Sequence, residues 1–272
     1  MILLSSSGIF WFFVSSFRVF VNRSNIMDDS MYPVFSRERE RHWWFAGRRK
    51  IFLSALRRSI HTHDASVLDV GCGPGGNLPL LATFGRVVGL DMHADAVSRA
   101  KKLAYEKVIQ ADAMHMPFTD GMFDIVAAVD IIEHVDDDAG LIYELNRVLK
   151  PGGILFITTA AFPFLWSRLD DLSHHRRRYT RTSLMVAVKS VGADTLLMRY
   201  YNVWLFPLIA AFRLFAKICA GDHSQGADQL RDLRTPQHCI NTLLKAILAS
   251  ERFVSSIPFP FGVSLYGIFR KP

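Results

Sequence analysis

Apolar residues fall along this chain in two alternating rhythms. Short apolar runs recur at 66–70, 86–91, 107–111, 123–130 and 154–159, and between several of them apolar positions repeat every three or four residues. Continuous runs predict strands buried on both faces, and the wider spacing predicts the helices that cover them. Residues 36–60 read as an amphipathic helix carrying Trp43, Trp44, Ile51, Leu53 and Leu56, and the chain then breaks at 61–64. A short helix is predicted at 77–83, where Pro79 fits only in the first turn because no intrahelical N–H bond is lost there. Further helices are predicted at 94–105 and 137–149, the second stopped by Lys150-Pro151-Gly152-Gly153. Strand alternating with helix five times implies right-handed crossovers and a doubly wound parallel sheet. After residue 180 come a helix at 181–191, a strand at 194–201, a long segment, and a last strand near 263–270 that is expected to pair antiparallel at the sheet edge. The fold class expected is α/β: a doubly wound, mostly parallel seven-stranded sheet with an antiparallel last strand and a helical insertion before it.

Composition narrows the picture modestly. A chain of 272 residues suits one large α/β domain with an insertion or a small cap. Half of it is apolar and 21% charged, which predicts a well-filled core and excludes global disorder. The formal charge of +7 gathers at Arg48-Arg49-Lys50, Arg57-Arg58 and Arg176-Arg177-Arg178. Such an excess suits an anionic small substrate, a membrane surface or nucleic acid, and equally a solvated basic face. Cys72, Cys219 and Cys239 are widely spaced and odd in number, which favours a reducing cytoplasm over a disulfide framework.

Residues 1–21 are apolar and aromatic but include five serines, with Arg18 and Arg23 at and behind the end of the run. A secretory signal carries its charge in front, and Arg18 interrupts any spanning helix. Met27 opens an acidic, polar stretch, so 1–26 is read as a non-native extension, with a membrane anchor as the alternative. The expected organisation is then an N-terminal helical cap at 27–64 and a main domain at 65–272, with its helical insertion at about 202–250.

Candidate chemistry centres on 67–76, Val-Leu-Asp-Val-Gly-Cys-Gly-Pro-Gly-Gly. A glycine-rich turn from strand into helix lets a nucleotide-like ligand lie against bare backbone. Gly71, Gly73 and Gly76 also satisfy G-x-G-x-x-G, so the segment alone leaves a dinucleotide and S-adenosylmethionine both open. Asp69 aims a carboxylate at the turn, where a pyrophosphate would be repelled. Asp91, about 20 residues on, is placed for ribose hydroxyls of either ligand. Any one strand-end Asp reads as well as a cap or turn former. Asp69, Asp91 and Asp112 end three successive strands at the edge where doubly wound sheets bind ligands, and together they point to a site. Glu133-His134, beside Asp136-Asp137-Asp138, reads as a helix start, and no metal site is expected.

Six pieces in order carry a family resemblance: Val67-Leu-Asp-Val-Gly-Cys-Gly-Pro-Gly, Val88-Gly-Leu-Asp91, Gln110-Ala-Asp112-Ala, Phe123-Asp-Ile-Val, Ile132-Glu-His-Val135 and Leu149-Lys-Pro-Gly-Gly-Ile154. Over about residues 65–160, and more loosely to the C-terminus, the chain resembles the class I S-adenosylmethionine-dependent methyltransferases. That resemblance implies the Rossmann-like methyltransferase fold and S-adenosyl-L-methionine as cofactor. It implies a cofactor site drawn from Asp69, Gly71, Gly73, Gly75, Asp91, Met92, Asp112, Ala113 and Asp130. In this family Asp112 would accept from the adenine amino group, with Met92 and Met114 as flat apolar neighbours.

Residues 166–180, with 40–49, resemble a bacterial subgroup of the type 11/12-like methyltransferases. A His-x-Arg-Arg-Tyr run of that subgroup matches His175, Arg177, Arg178 and Tyr179; a glycine commonly precedes it, where this chain has Ser173. Arginine forks suit phosphate or carboxylate, and a histidine can take the proton of an acceptor hydroxyl. His175 is the first candidate base and His174 the second; Trp166, Arg177, Arg178 and Tyr179 are candidate acceptor residues. The alternative is that the run folds back on Asp170 and Asp171 and closes the cofactor pocket. Trp43 and Trp44 are read as packing or as a lid. Within 201–219, Tyr201, Trp204, Leu205, Leu208, Phe212 and Phe215 share one face. That stretch reads as a core helix, a pocket cap or an interfacial helix, and it is too interrupted by charge to span a membrane.

The expected protein is a cytoplasmic enzyme, peripheral at the membrane, that O-methylates a small or lipid-linked acceptor. C- or O-methylation of a quinone or aromatic acceptor is the alternative. An NAD-dependent oxidoreductase and a non-catalytic cofactor-binding protein are the alternatives of another class. Nucleic acid is disfavoured as partner: Asp130-Ile-Ile-Glu stands where an Asn-Pro-Pro-Tyr type of motif would hold a flipped base.

Overall fold

The computed structural model describes residues 41–219 and 235–272. The expectations for 1–26, for the cap before residue 41 and for the middle of the insertion lie outside the described residues. Helix α1 (Trp43–Leu56) leads to β1 (Ala65–Val70), α2 (Leu78–Leu81), β2 (Gly85–Asp91), α3 (Ala94–Ala100), β3 (Lys107–Gln110) and β4 (Phe123–Val129). A 3-10 turn (Ile132–His134) then precedes α4 (Asp138–Val148), β5 (Leu149–Ala160), α5 (Arg168–Leu172), α6 (Arg181–Lys189) and β6 (Asp194–Tyr201). Helices α7 (Phe206–Cys219) and α8 (His238–Ser250) come before β7 (Ser264–Arg270). The sheet runs β3-β2-β1-β4-β5-β7-β6; the first five strands are parallel, and β7 is antiparallel to both neighbours.

Each central strand feeds two cores because its side chains alternate faces. Leu68, Val70, Val126 and Leu155 join Leu141, Leu145, Leu184 and Val188 of α4 and α6 on one face. Val67, Ile125 and Phe156 join Phe52, Leu81 and Leu248 of α1, α2 and α8 on the other. The order reverses between β1 and β4, and the crevice at their C-terminal ends is where such sheets bind ligands.

Four expectations change. The last strand lies between β5 and β6 rather than at the edge, because its residues 264–269 are buried and need cover on both faces and both sides; half-exposed β6 forms the edge. Helix α3 ends at Ala100 instead of 105, and the released chain carries Leu103 and Tyr105 over the glycine turn. Helix α2 is four residues long with Pro79 in its first turn, as the ring requires. Lys150-Pro-Gly-Gly ends α4 but enters β5 directly, as an irregular stretch where the β4–β5 register shifts. Trp44 stacks on Tyr201 at 5.7 Å and Trp43 N–H donates to Asn241 at 2.8 Å, so both tryptophans pack α1 onto the body. No helix among the described residues is long and apolar enough to cross a membrane.

Candidate cofactor and acceptor site

The glycine turn leaves β1 through two backbone positions closed to most residues. Gly71 has φ +68°, and a Cβ there would meet Ile131 Cδ1 at 2.9 Å. Gly75 has φ +91°, with Leu103 and Tyr105 over it. Only glycine holds this conformation without cost. The turn is fastened to β2 by Asp91, whose Oδ2 accepts from Gly73 N–H at 2.8 Å while Oδ1 accepts from His93 N–H at 2.9 Å. Each carboxylate oxygen keeps a lone pair for a further donor. Asp69 is fully buried and accepts from the Tyr105 hydroxyl at 2.7 Å. Asp112 is exposed at the end of β3, accepting from Met114 N–H at 2.9 Å, with Ala113 buried beside it and Met92 exposed at the rim.

The β4 end is more crowded than its sequence shows. Asp130 sits at φ +55°, a strained value for a non-glycine residue, and its carboxylate pairs with Arg48 of α1. Thr158 Oγ1 donates to the other oxygen at 2.6 Å. Burial pushes this carboxyl up, but Arg48 and Thr158 outweigh it and hold the group below its ordinary range. Asp130 therefore commits both carboxylate oxygens to partners within the protein, Arg48 and Thr158, although its side chain stays partly exposed. Glu133 is 2% exposed; Oε1 accepts from Ala160 N–H at 3.2 Å, and Oε2 has no hydrogen-bond partner. Thr159 Oγ1 lies close enough to favour the charged form without making a bond of ordinary geometry. Burial, and then the charge of Asp130, push Glu133 up to about 7. Asp137 does cap α4, accepting from Gly140 N–H at 2.8 Å, but Glu133 belongs to the core of the site and not to a solvated helix start.

The histidine–arginine run folds back against this cluster. His175 Nδ1 lies 2.8 Å from Asp170 Oδ1, and its ring meets that of His134 edge-on at 4.7 Å. Burial, and then the neighbouring His175, push His134 down to about 4. Arg178 and Tyr179, expected to meet the acceptor, are instead buried and committed. Arg178 clasps Asp170 through Nε at 2.7 Å and Nη2 at 3.0 Å and donates Nη1 to the Ala161 carbonyl at 2.8 Å. Tyr179 sits in the core with its hydroxyl on Asp138 at 2.7 Å. A parallel bridge from Tyr179 to Ala161 ties this segment to the chain just beyond β5. Arg177 is half-exposed and donates to the Asp136 carbonyl at 2.6 Å. Trp166 donates Nε1–H to Asp171 at 2.8 Å. His174 takes φ +54° and supplies the left-handed position of the turn, one residue after Ser173.

A family model described as a methyltransferase domain matches residues 68–157, the span that carries the glycine turn and the strand-end acids. That span is a methyltransferase domain of the class I S-adenosylmethionine-dependent kind. A 37.1 kDa protein in transposon TN4556 of Streptomyces fradiae is 30% identical over 224 residues, covering 76% of this chain and 62% of that protein. The 2-methyl-6-phytyl-1,4-hydroquinone methyltransferase of Synechocystis is 40% identical over 112 residues, covering 39% of this chain and 33% of that enzyme. The methyltransferase chain thus spans between one third and about three-fifths of these relatives' lengths. A solved complex between the Haloferax volcanii Trm112 methyltransferase activator and a methyltransferase shares the fold at TM-score 0.58 and 20% identity, covering 91% of this chain and 98% of the other.

S-adenosylmethionine is the cofactor of this methyltransferase family, and the residues present fit it. The glycine turn offers backbone without side chains at the strand end, and carboxylates with spare lone pairs suit the hydroxyl and amino donors of the cofactor. Sequence reasoning missed Arg48, Tyr105, Thr158 and Glu133 as members of the site. Arg48 stood out only as one of a basic cluster, Glu133 was read as part of a helix start, and nothing local marked Tyr105 or Thr158.

Proposed function

We propose that this chain transfers a methyl group from S-adenosylmethionine to an oxygen of a small or lipid-linked acceptor, with His175 taking the hydroxyl proton. The observation that carries this reading is the adjacency of two half-sites: Ile131 lies over Gly71, and the next residues bring His134 against a His175 held by a buried carboxylate. When bound, the cofactor supplies a methyl group already activated by its sulfonium. The protein then contributes positioning, exclusion of water and a base. In this reading Gly71, Gly73 and Gly75 offer backbone, Asp69 takes the amino-acid end and Asp91 the ribose hydroxyls. Asp112, Ala113 and Met92 border the adenine, and Asp130 contributes its backbone. Trp166 and Arg177 flank the acceptor. The methyltransferase domain would occupy 65–272 under a helical cap, with 202–250 as the acceptor-side insertion.

Helix α7 supports a lipid-linked acceptor and peripheral contact with a membrane. Leu208, Phe215 and Ile218 are exposed along it, while Arg213 and Lys217 fasten it to the Leu165 and Phe164 carbonyls beside the site loop. A quinone or aromatic acceptor is a second reading, supported by the hydroquinone methyltransferase among the relatives. The test is calorimetric binding of S-adenosylhomocysteine, then transfer of labelled methyl into cell extract with lipid and aqueous fractions kept apart. Tight binding with label in neither fraction would count against transfer.

A further inference from the structure

Asp170 is 1% exposed and receives more donors than a helix cap needs. Arg178 reaches Oδ1 through Nε at 2.7 Å and Oδ2 through Nη2 at 3.0 Å. Ser167 adds its N–H at 2.7 Å and its Oγ at 3.0 Å, both to Oδ2. The remaining contact is His175 Nδ1, 2.8 Å from Oδ1, and the His175 N–H also donates to the Asp170 carbonyl at 2.8 Å. A carboxylate fixed in this way offers only lone pairs, so a neutral imidazole can meet it only with the proton on Nδ1. Burial opposes the charge of Asp170, but the bond from His175 and the Arg178 guanidinium hold it ionised well below the usual carboxylate range.

We propose that Asp170 is the positioning residue of this site: it locks His175 in the Nδ1–H tautomer and leaves Nε2 as the basic nitrogen that faces the acceptor. The proposal rests on the reading of His175 as base. In the step it serves, the acceptor oxygen forms its bond to the methyl carbon as the carbon–sulfur bond of S-adenosylmethionine breaks, its electron pair passing to sulfur. The hydroxyl proton moves to Nε2, and the imidazolium keeps its Nδ1–H on Asp170. Arg178 already balances the charge of Asp170, so the carboxylate acts by orientation more than by attraction. The groups around His175 are Asp170 of α5, Glu133 and His134 of the 3-10 turn, Asp130 at the end of β4, and Arg178 behind Asp170, with Arg213 of α7 beyond it.

The geometry makes the asparagine variant informative. Oδ2 takes three donors and Oδ1 one arginine nitrogen, so Asp170→Asn keeps its oxygen at the Oδ2 position and turns its amide N–H₂ toward His175. The ring must then flip to the Nε2–H tautomer and lose its basic lone pair on the acceptor side. The test is ¹⁵N NMR of the full chain with labelled histidine, beside labelled methyl transfer into the organic extract of a cell lysate and calorimetry with S-adenosylhomocysteine. The expected result is Nδ1–H in the wild type and Nε2–H in Asp170→Asn, with transfer falling about a hundredfold or more at unchanged S-adenosylhomocysteine affinity. Asp170→Glu is expected to restore part of the activity. A wild-type ring in the Nε2–H form overturns the role of Asp170 alone, and needs no variant to fold. Normal turnover by His175→Ala overturns the base assignment and the role of Asp170 with it.

Discussion

Arg48 and Asp130 stand 82 residues apart in the chain and form an ion pair at the C-terminal edge of the sheet. The guanidinium is nearly buried, with 7% of its side chain exposed, while Asp130 keeps 31% in contact with water. The pair joins α1 to the strand end that borders the glycine turn. Breaking a buried pair strands one charge, at about 3–5 kcal/mol when both are dry.

Arg48→Met is therefore expected to cost about 2–3 kcal/mol, below the dry limit because Asp130 is partly hydrated. The double variant Arg48→Met/Asp130→Asn should recover part of that loss. Urea denaturation of the three chains checks this, and a double variant no more stable than the single one would show that the pair is not the source of the cost.

Asp91 fastens the glycine turn to β2, and in the proposed reading it also takes the ribose hydroxyls. Asp91→Ala removes the acceptor for the buried Gly73 N–H, a loss of about 1–3 kcal/mol in stability. It should also weaken S-adenosylhomocysteine by about tenfold or more, since a charge-assisted bond is worth about 1.5–3 kcal/mol. Calorimetry at fixed salt measures the second effect; undiminished affinity would place the ribose elsewhere.

The pH dependence of stability carries opposed contributions from this cluster. Glu133 rises from 4.5 to about 7, so over that window the folded chain holds a proton the unfolded chain has lost, and stability falls as pH rises. Glu251, buried and also raised to about 7 in spite of three backbone N–H donors, adds the same slope. His134 drops from 6.5 to about 4, so over that range the unfolded chain holds the extra proton and stability rises with pH. Glu133→Gln should match the wild type near pH 4.5 and exceed it above pH 7 by on the order of 3 kcal/mol at most. Denaturation curves at three pH values decide it, and a difference that does not change with pH would contradict the assignment.

His174 and His175 are adjacent and were both candidate bases. The backbone separates them: His174 holds φ +54°, which costs a side-chain-bearing residue about 1–2 kcal/mol. His174→Gly removes that strain and adds unfolded-state entropy, so stability should change by about 1 kcal/mol or less. Methyl transfer should survive, where loss of a base costs about a hundredfold or more. A glycine variant that folds but has lost transfer would move the base to His174.

Much of this architecture was legible without coordinates. Strand 194–201 and the end of the last strand at 270 were read to the residue, because continuous apolar runs flanked by breakers are local signals. The overlong helix at 94–105 failed because Leu103 and Tyr105 are as compatible with a helix as with a loop; what ends the helix is their cover over Gly75 and Gly89, on segments distant in the chain. Arg178 and Tyr179 failed as acceptor residues for a related reason. Polar residues in a run look alike until burial shows which of them already have partners, and Asp170 and Asp138 had taken these two.

Periodicity and spacing were enough for the order of strands and helices, the glycine turn and the three acids that end successive strands, because each of these is a property of a few neighbouring residues. The insertion of β7 between β5 and β6, the reach of Arg48 to Asp130, the burial of Glu133 and the contact of His175 with Asp170 came from packing. Most of those contacts join residues tens to hundreds of positions apart, and their energies depend on what each group loses to water and which partner replaces it.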